Sequence, residues 1–537
     1  FESMTKNLVL SFIFFGAMCV SNAQEATTPV KKLLPKIDAE HYVDYYDQGK
    51  KNKFREGDFI YGKKQGSWSY YYRNGNKHEE SNYTNGNLSG SVIYWFENGQ
   101  RQSEGYFKLV FQNGLLASLR DSVYKEWYPN GNMMKKGNYS YDVKNGTWTY
   151  WFAEGDKWKE ITYQNGYEKP VNGWDKELKQ TLKAGVGVLY DYHENGPLKS
   201  KISIQDSLLT GGAEYFYKNG KLEMEGDLKQ NAKDGLWHYY YDDGAKWKDL
   251  SYVQNELDGP YKNWYPNGKL SIEGQYESGQ KVGNWIWYNS TGKKYMEGEF
   301  LADKQHGTWV YYFENGQVES KGRFENDLRE GEWKMYYKNG AQWKIGSYAH
   351  DKKDGHWRYF FESGRLLQEG DFKMGKEEGI WIAWYDNGQK KDQGAYGQGV
   401  MQGKWEGWFD NSKLNYLGTR SEGKKSGEWT FGYSNGKTRE KGSYDSDLKT
   451  GDWAYYFETG NVDYECQYDQ GSKDGKCTYY YPHGSKMREE TYKMDRQDGR
   501  TRMWGPTENL ISVRNYKDGL PHGKVIDYDE EGNVISE

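Results

Sequence analysis

The chain has 537 residues; 18% are aromatic, with 51 Tyr and 23 Trp, while hydrophobic residues total only 35%. Its 73 basic and 78 acidic residues are finely mixed and sum to −5, which excludes the one-signed footprint of a nucleic-acid binder or a polybasic membrane surface. Sixty-six Gly against ten Pro fit many turns between uninterrupted strands.

The first element is an export signal. Met4-Thr5-Lys6 is a short basic start, Leu8 to Val20 an apolar core, and Ser21-Asn22-Ala23 a small-residue cleavage site. Residues 1–23 are therefore expected to be a signal peptide, with 1–3 upstream of the start, and 24–39 a linker. The apolar run is too short for a comfortable membrane-spanning helix. Cys19 offers lipid attachment as an alternative, but Met18 before it suits that processing poorly. No later segment is apolar enough to span a bilayer. The expected location is outside a bacterial cytoplasm: periplasm, outer membrane or exterior.

Repeats begin near residue 40. Fifteen glycines from Gly187 to Gly523 stand 24 residues apart without a slip, each opening a phrase such as Gly307-Thr-Trp-Val-Tyr-Tyr-Phe-Glu-Asn-Gly316. A fixed period of this size marks a repeat architecture. With that glycine as position 0 and Ser122 as a degenerate start, nineteen units begin between Gly66 and Gly523, and a degenerate twentieth surrounds Tyr45 to Gly49. Positions 8 and 9 are commonly Asn-Gly, as in Asn267-Gly268 and Asn315-Gly316. Asn-Gly between strand-like runs predicts a two-residue type I′ turn.

The repeats also predict their own register. Trp holds position 2 in eleven units: Trp68, Trp148, Trp237, Trp285, Trp309, Trp333, Trp357, Trp381, Trp405, Trp429 and Trp453. The residue eleven places earlier is Gly every time, from Gly57 before Trp68 to Gly442 before Trp453, and is never Gly in units lacking the Trp. An indole lying over a strand neighbour without a side chain explains the match. Position 15 then faces position 2 both within a unit and in the next. Alternation puts positions 2, 4, 6, 11, 13, 15 and 17 on an apolar face and 5, 10, 12, 14 and 16 on a polar one. The fold class that follows is all-β: an elongated, twisted single-sheet array of about 19–20 stacked antiparallel β-hairpin repeats of 24 residues.

Two insertions interrupt the ruler. The first lies within Phe107 to Arg120; the second, at 162–186, contains Trp174 to Lys183, whose polarity would suit a short amphipathic helix, with a tolerated loop as the plainer reading of the insertion. The expected divisions are repeats over 40–161, the insertion 162–186, and regular repeats over 187–537.

Glu297-Gly298-Glu299-Phe300 followed by Gly307 resembles the hairpin of MORN repeats, as does Glu273-Gly274-Gln275-Tyr276 with Gly283. The Asn-Gly turn and Trp-x-Tyr-Tyr strand are most similar to the bacterial, antitoxin-labelled variant of that repeat. The resemblance implies stacked β-hairpins and scaffolding or protein contact, and says almost nothing of activity.

The best candidate ligand surface is the aromatic column at position 5: Tyr240, Trp264, Tyr288, Tyr312, Tyr336, Phe360, Trp384 and Trp408, interrupted at Gly432. Such rings could stack on sugars or receive a partner chain, or simply pack against Lys and Glu stems. The Glu225, Glu273, Glu297 and Glu369 row reads as cross-strand charge pairs, because catalytic carboxylates would stand at one place and not be tiled. His350 and His356 lack a third ligand, and Asp527 to Gly532 only begins like a calcium loop, so no metal or cofactor is expected. Phosphate loops, nucleophile elbows and zinc spacings are missing. Cys466 and Cys477 replace a Gly and a Trp in the paired register, which places them opposite on adjacent strands and predicts a disulfide. Together these features describe an exported, non-enzymatic repeat scaffold for protein–protein contact or cell-envelope organisation, with a glycan- or peptidoglycan-binding module as the alternative.

Overall fold

The computed structural model describes residues 39–112, 115–194 and 196–537. The expected signal peptide, Cys19 and nearly all of the linker lie outside the described residues. Within them the chain forms 44 strands and no helix. It divides into two compact units: one runs to Asp156 and includes Tyr163–Tyr167, the other comprises Lys157–Thr162 and Glu168–Glu537. In each, consecutive strands pair antiparallel as a meander.

The unit opening at Gly283 shows the construction. Strand Gln280–Tyr288 pairs with Lys294–Leu301, with Trp285 opposite Gly298, and the latter strand continues against Lys304–Tyr312. There the ladder holds from Met296↔Tyr311 to Glu297↔Val310, breaks, and resumes at Glu299↔His306, so Gly298 faces the three residues Gly307 to Trp309. The opening glycine absorbs this bulge with φ 64°, a left-handed conformation that costs other residues more. The expected Gly–Trp register is therefore present, and in Gly394↔Trp405 the pair itself remains in the ladder.

The bulge explains the tryptophan. It brings the ring flat onto the glycine, where a Cβ added to Gly298 would stand 2.1 Å from Trp309 Cδ2. It also leaves a backbone carbonyl without a ladder partner, and Trp309 Nε1 donates to that oxygen, Glu299 O, at 3.1 Å. The same bond recurs at Trp68, Trp237, Trp357 and Trp453. Edge-on to most of the indoles stands a position-17 ring, as in Phe300–Trp309 at 5.3 Å and Phe372–Trp381 at 5.0 Å. Trp309, Phe324, Trp333, Tyr348, Trp357, Phe372 and Trp381 thus form one continuous core row.

The Asn-Gly turn differs from expectation in kind. The Asn-Gly end is not type I′. Gly268 N–H donates to Tyr265 O and Tyr265 N–H to Lys269 O, and only Gly268 has positive φ, 78°. This is a three-residue loop, a type I turn closed by a left-handed glycine bulge. Asn at position 8 serves instead as a staple: Asn267 Oδ1 accepts Lys269 N–H, and its amide donates to Ser290 O one repeat on. Type I′ turns occur at the other end, where both central residues have positive φ, as in Ser278-Gly279 and His350-Asp351. Where Asp is second, its carboxylate docks the turn on the preceding repeat: Asp303 Oδ1 accepts Lys281 N–H at 2.9 Å.

The glycine bulge also corrects the face assignment. Trp264 pairs with Leu270 while Asn263 pairs with Ile272, so position 11 shares the face of position 5, and position 12 turns to the tryptophan face. Trp247, at position 12, accordingly packs on Tyr239 and Tyr241 of that face.

The insertions are strands. Residues 101–112 and 115–127 extend one hairpin beyond its neighbours, leaving Phe111 and Leu115 about three-quarters exposed. The expected helix at Trp174–Lys183 does not form. Instead Tyr167–Trp174 and Gln180–Lys183 flank the same three-residue turn, with Leu178 (φ 63°) in the glycine position. The segment is a shortened repeat. Its helix-like polarity arises because a turn lies in the middle of the stretch, and Leu182, fully buried with Leu189 and Ile204, holds it to the sheet.

Candidate binding surface

The tryptophan face is filled from within the chain. Seven indoles are preceded four residues earlier by Lys, in the phrase Lys-x-Gly-x-Trp: Lys64, Lys144, Lys233, Lys281, Lys353, Lys425 and Lys449. Each ammonium lies 3.9–5.3 Å from the centroid of its indole. Two further rings complete most of these cages, such as Tyr359 and Phe372 around Lys353, whose Nζ also donates to Tyr359 Oη at 2.7 Å. Burial holds Lys233, Lys353 and Lys425 below the ordinary lysine range. Cation–π attraction offsets part of that desolvation. Sequence reasoning missed this arrangement; the recurrent four-residue spacing is the signal that could have found it. Position-6 tyrosines tie successive repeats: Tyr241, Tyr265 and Tyr385 donate to the carbonyls of Trp264, Tyr288 and Trp408.

Position 5 lies on the opposite face, and all eight proposed residues there are half-buried. Tyr240, Tyr288 and Tyr312 donate to Glu225, Glu273 and Glu297 at position 14 of the preceding repeat. Trp264 and Trp408 lie beside the ammonium groups of Lys246 and Lys390, at 4.7 and 5.8 Å. The glutamate row is occupied by these bonds and by Lys294–Glu297 at 2.8 Å. Glu369 instead contacts His356, which also bonds Asp371 at 2.9 Å. The structure does not bring His350 into that cluster; it sits at a type I′ turn. Among the described residues no cluster of three or more His, Cys, Asp or Glu could hold a metal. Asp529 closes an ordinary three-residue turn, accepting from Asn533 N–H.

Among the described residues, grooves open on this face. One of about 630 Å³ has Thr430, Ala454 and Thr478 on its floor, with Lys441, Glu465 and Tyr480 on its walls, beside the column's break at Gly432. Another of about 510 Å³ lies in the first unit between Ile93, Glu104, Lys125 and Lys136. Beneath the larger groove, Cys466 and Cys477 are paired in the ladder with Cα atoms 4.1 Å apart, and their sulfurs are bonded at 2.04 Å. Because the closed loop is short, replacing Cys466 by Ser should cost at most roughly 2–3 kcal/mol. Urea unfolding with and without reductant measures this; loss of the whole second unit on reduction would contradict it.

The tyrosines make stability sensitive to alkali. Burial, then the bond to glutamate, pushes Tyr240 and Tyr312 up to about 12, and burial raises Tyr359 and Tyr444 to about 12. A raised folded value contributes stability that is complete below the unfolded value near 10 and is lost as pH rises through about 12. The buried lysines act the other way but are fewer. Urea midpoints are therefore expected to fall between pH 10 and 12; a flat profile would contradict the assignment.

An open antiparallel array of hairpin repeats with a tryptophan-packed face is a repeat-scaffold architecture. Ten segments match the MORN repeat variant family: 64–85, 88–109, 120–141, 144–165, 257–278, 305–326, 329–350, 353–374, 449–470 and 473–494. The chain is a MORN-type repeat protein. No curated protein matches it. Among solved structures it is similar to a chain of TcdB2-TccC3-TEV, at 9% identity and TM-score 0.14, over 94% of this chain and 33% of that one. A chain of the Photorhabdus luminescens Tc holotoxin pore matches at 10% identity and TM-score 0.13, over 90% of this chain and 30% of that one. The chain thus spans about a third of the length of these structures.

Proposed function

We propose that this chain is an exported, non-enzymatic scaffold that binds protein partners on the position-5 face. One observation carries the reading: the tryptophan face is largely consumed by the chain's own lysines and rings, whereas the grooves found among the described residues open on the opposite face amid mixed charges, the larger beside the position-5 ring of Tyr480. Aromatic residues within a polar rim suit protein recognition. Export is supported by the apolar Leu8–Val20 segment and by the Cys466–Cys477 bond, which an oxidising compartment preserves.

The test compares the wild-type chain with the combined Trp264→Ala, Trp384→Ala and Trp408→Ala variant, on envelope fractions and on a glycan array. Partner retention should fall while the melting temperature changes little. Unchanged retention, or binding and stability lost in parallel, would refute a binding role for the column. Retention of glycans alone would replace the protein partner by a sugar.

A further inference from the structure

The repeats opening at Gly379 and Gly403 break the internal filling of the tryptophan face. Where Lys353 and Lys425 precede their indoles, Glu377 and Met401 stand instead. Position 4, a ring in most units, is Ala383 and then Gly407. The Tyr416 ring leans over Gly407, 2.3 Å from where a Cβ would stand, so the opening lies over Ala383. Paired across the ladder with both residues stands Asp392, at the position that carries Lys248 and Lys344 elsewhere. Trp381 and Trp405 are consequently the two most exposed of the eleven indoles, at 9% and 5%. Among the described residues Trp405 meets one ring, Tyr396 at 5.3 Å, whereas Trp309 meets four.

The half-buried Asp392 takes part in no hydrogen bond or ion pair among the described residues. Its counterpart Glu440 is bound by Lys449 and Arg439, both at 3.1 Å. Burial raises Asp392 above the usual carboxylate range, and its charge in turn acts on Tyr385, Tyr396 and Tyr416. Of the neighbouring cations, Lys391 acts on Asp392 through its charge without an ion pair and lies 5.9 Å from the Tyr385 ring, and Arg420 donates to Gly423 O at 2.8 Å.

We propose that this gap binds an organic ammonium ion, with Trp381, Trp405 and Tyr396 as aromatic walls and Asp392 as the anionic base. The chain itself supplies the precedent, because the equivalent walls in other repeats hold a lysine ammonium. An alkylammonium gains both ring quadrupole and carboxylate, and a small hydrated cation gains less from the rings. The site is on the face opposite position 5, so it stands or falls independently of the scaffold reading.

The experiment titrates the full chain with N-acetyl-lysinamide, with choline chloride, and with sodium chloride at matched ionic strength, following tryptophan fluorescence. A saturable change with an organic ammonium and not with sodium is expected. Stronger binding of the lysine derivative assigns a partner's lysine as occupant; stronger binding of choline assigns a quaternary headgroup. Asp392→Asn should weaken binding roughly tenfold or more. Glu377→Lys should weaken it similarly by supplying a resident ammonium, as Lys353 does beside Trp357, and that arrangement is one this fold already accommodates. Glu440→Gln should leave binding unchanged. No saturable response, an equal response to sodium, or wild-type binding by both Asp392→Asn and Glu377→Lys would overturn the proposal.

Discussion

Trp333→Ala is expected to destabilise the second unit by about 3–5 kcal/mol, the range for removing a large buried aromatic. The ring is 3% exposed, lies on Gly322, meets Phe324 edge-on at 5.2 Å and Tyr348 at 6.1 Å, and donates to Arg323 O. Truncation leaves a cavity and a bulge carbonyl without its donor, and both costs fall in one repeat. Stability in a repeat array is shared between neighbours. Hydrogen exchange should therefore show opening centred on residues 320–348 before the rest of the unit yields. Urea unfolding of the variant gives the total; a loss below about 1 kcal/mol would place the indole outside the core.

Gly322→Val is expected to be nearly as damaging although it adds atoms. A Cβ at 322 would lie 2.1 Å from Trp333 Cδ2, far inside contact distance, and the obstacle is the body of a packed ring. Overpacking costs about 1–3 kcal/mol. Because the indole cannot shift without losing its bond to Arg323 O, the upper end is expected. The cost should vanish when Trp333 is already Ala. A double-mutant cycle measures that coupling, and additive losses would show that residue 322 does not carry the ring.

The Gly–Trp register was legible because each indole demands a residue without a side chain at one place, and the demand repeats eleven times. The same logic placed Cys466 opposite Cys477. The turns were not legible in kind. Asn-Gly suits both a type I′ turn and the three-residue loop actually formed, and true type I′ turns carry pairs as unlike as Ala302-Asp303 and Met374-Gly375. One misplaced bulge then moved position 11 to the wrong face. The lysine cages were hidden for another reason: a strand lysine reads as solvent-facing, and only the three-dimensional meeting of Lys353 with Trp357, Tyr359 and Phe372 shows otherwise. The exception at Asp392 becomes visible only against that rule.

Engineered cross-linking tests most directly the register that seats each indole on a glycine of the directly preceding strand. Gly346 and Trp357 occupy the positions that Cys466 and Cys477 hold, and a Cβ at 346 would stand 2.2 Å from Trp357 Cδ2. In a background with Cys466 and Cys477 changed to Ser, Gly346→Cys with Trp357→Cys should form a disulfide under mild oxidation. Gly346→Cys with Arg358→Cys should not, because Arg358 pairs with Ile345 and points to the other face. Mass spectrometry of the unreduced chains reads the result: a bond in the first variant alone is predicted, and free thiols there, or equal bonding in both, would contradict the register.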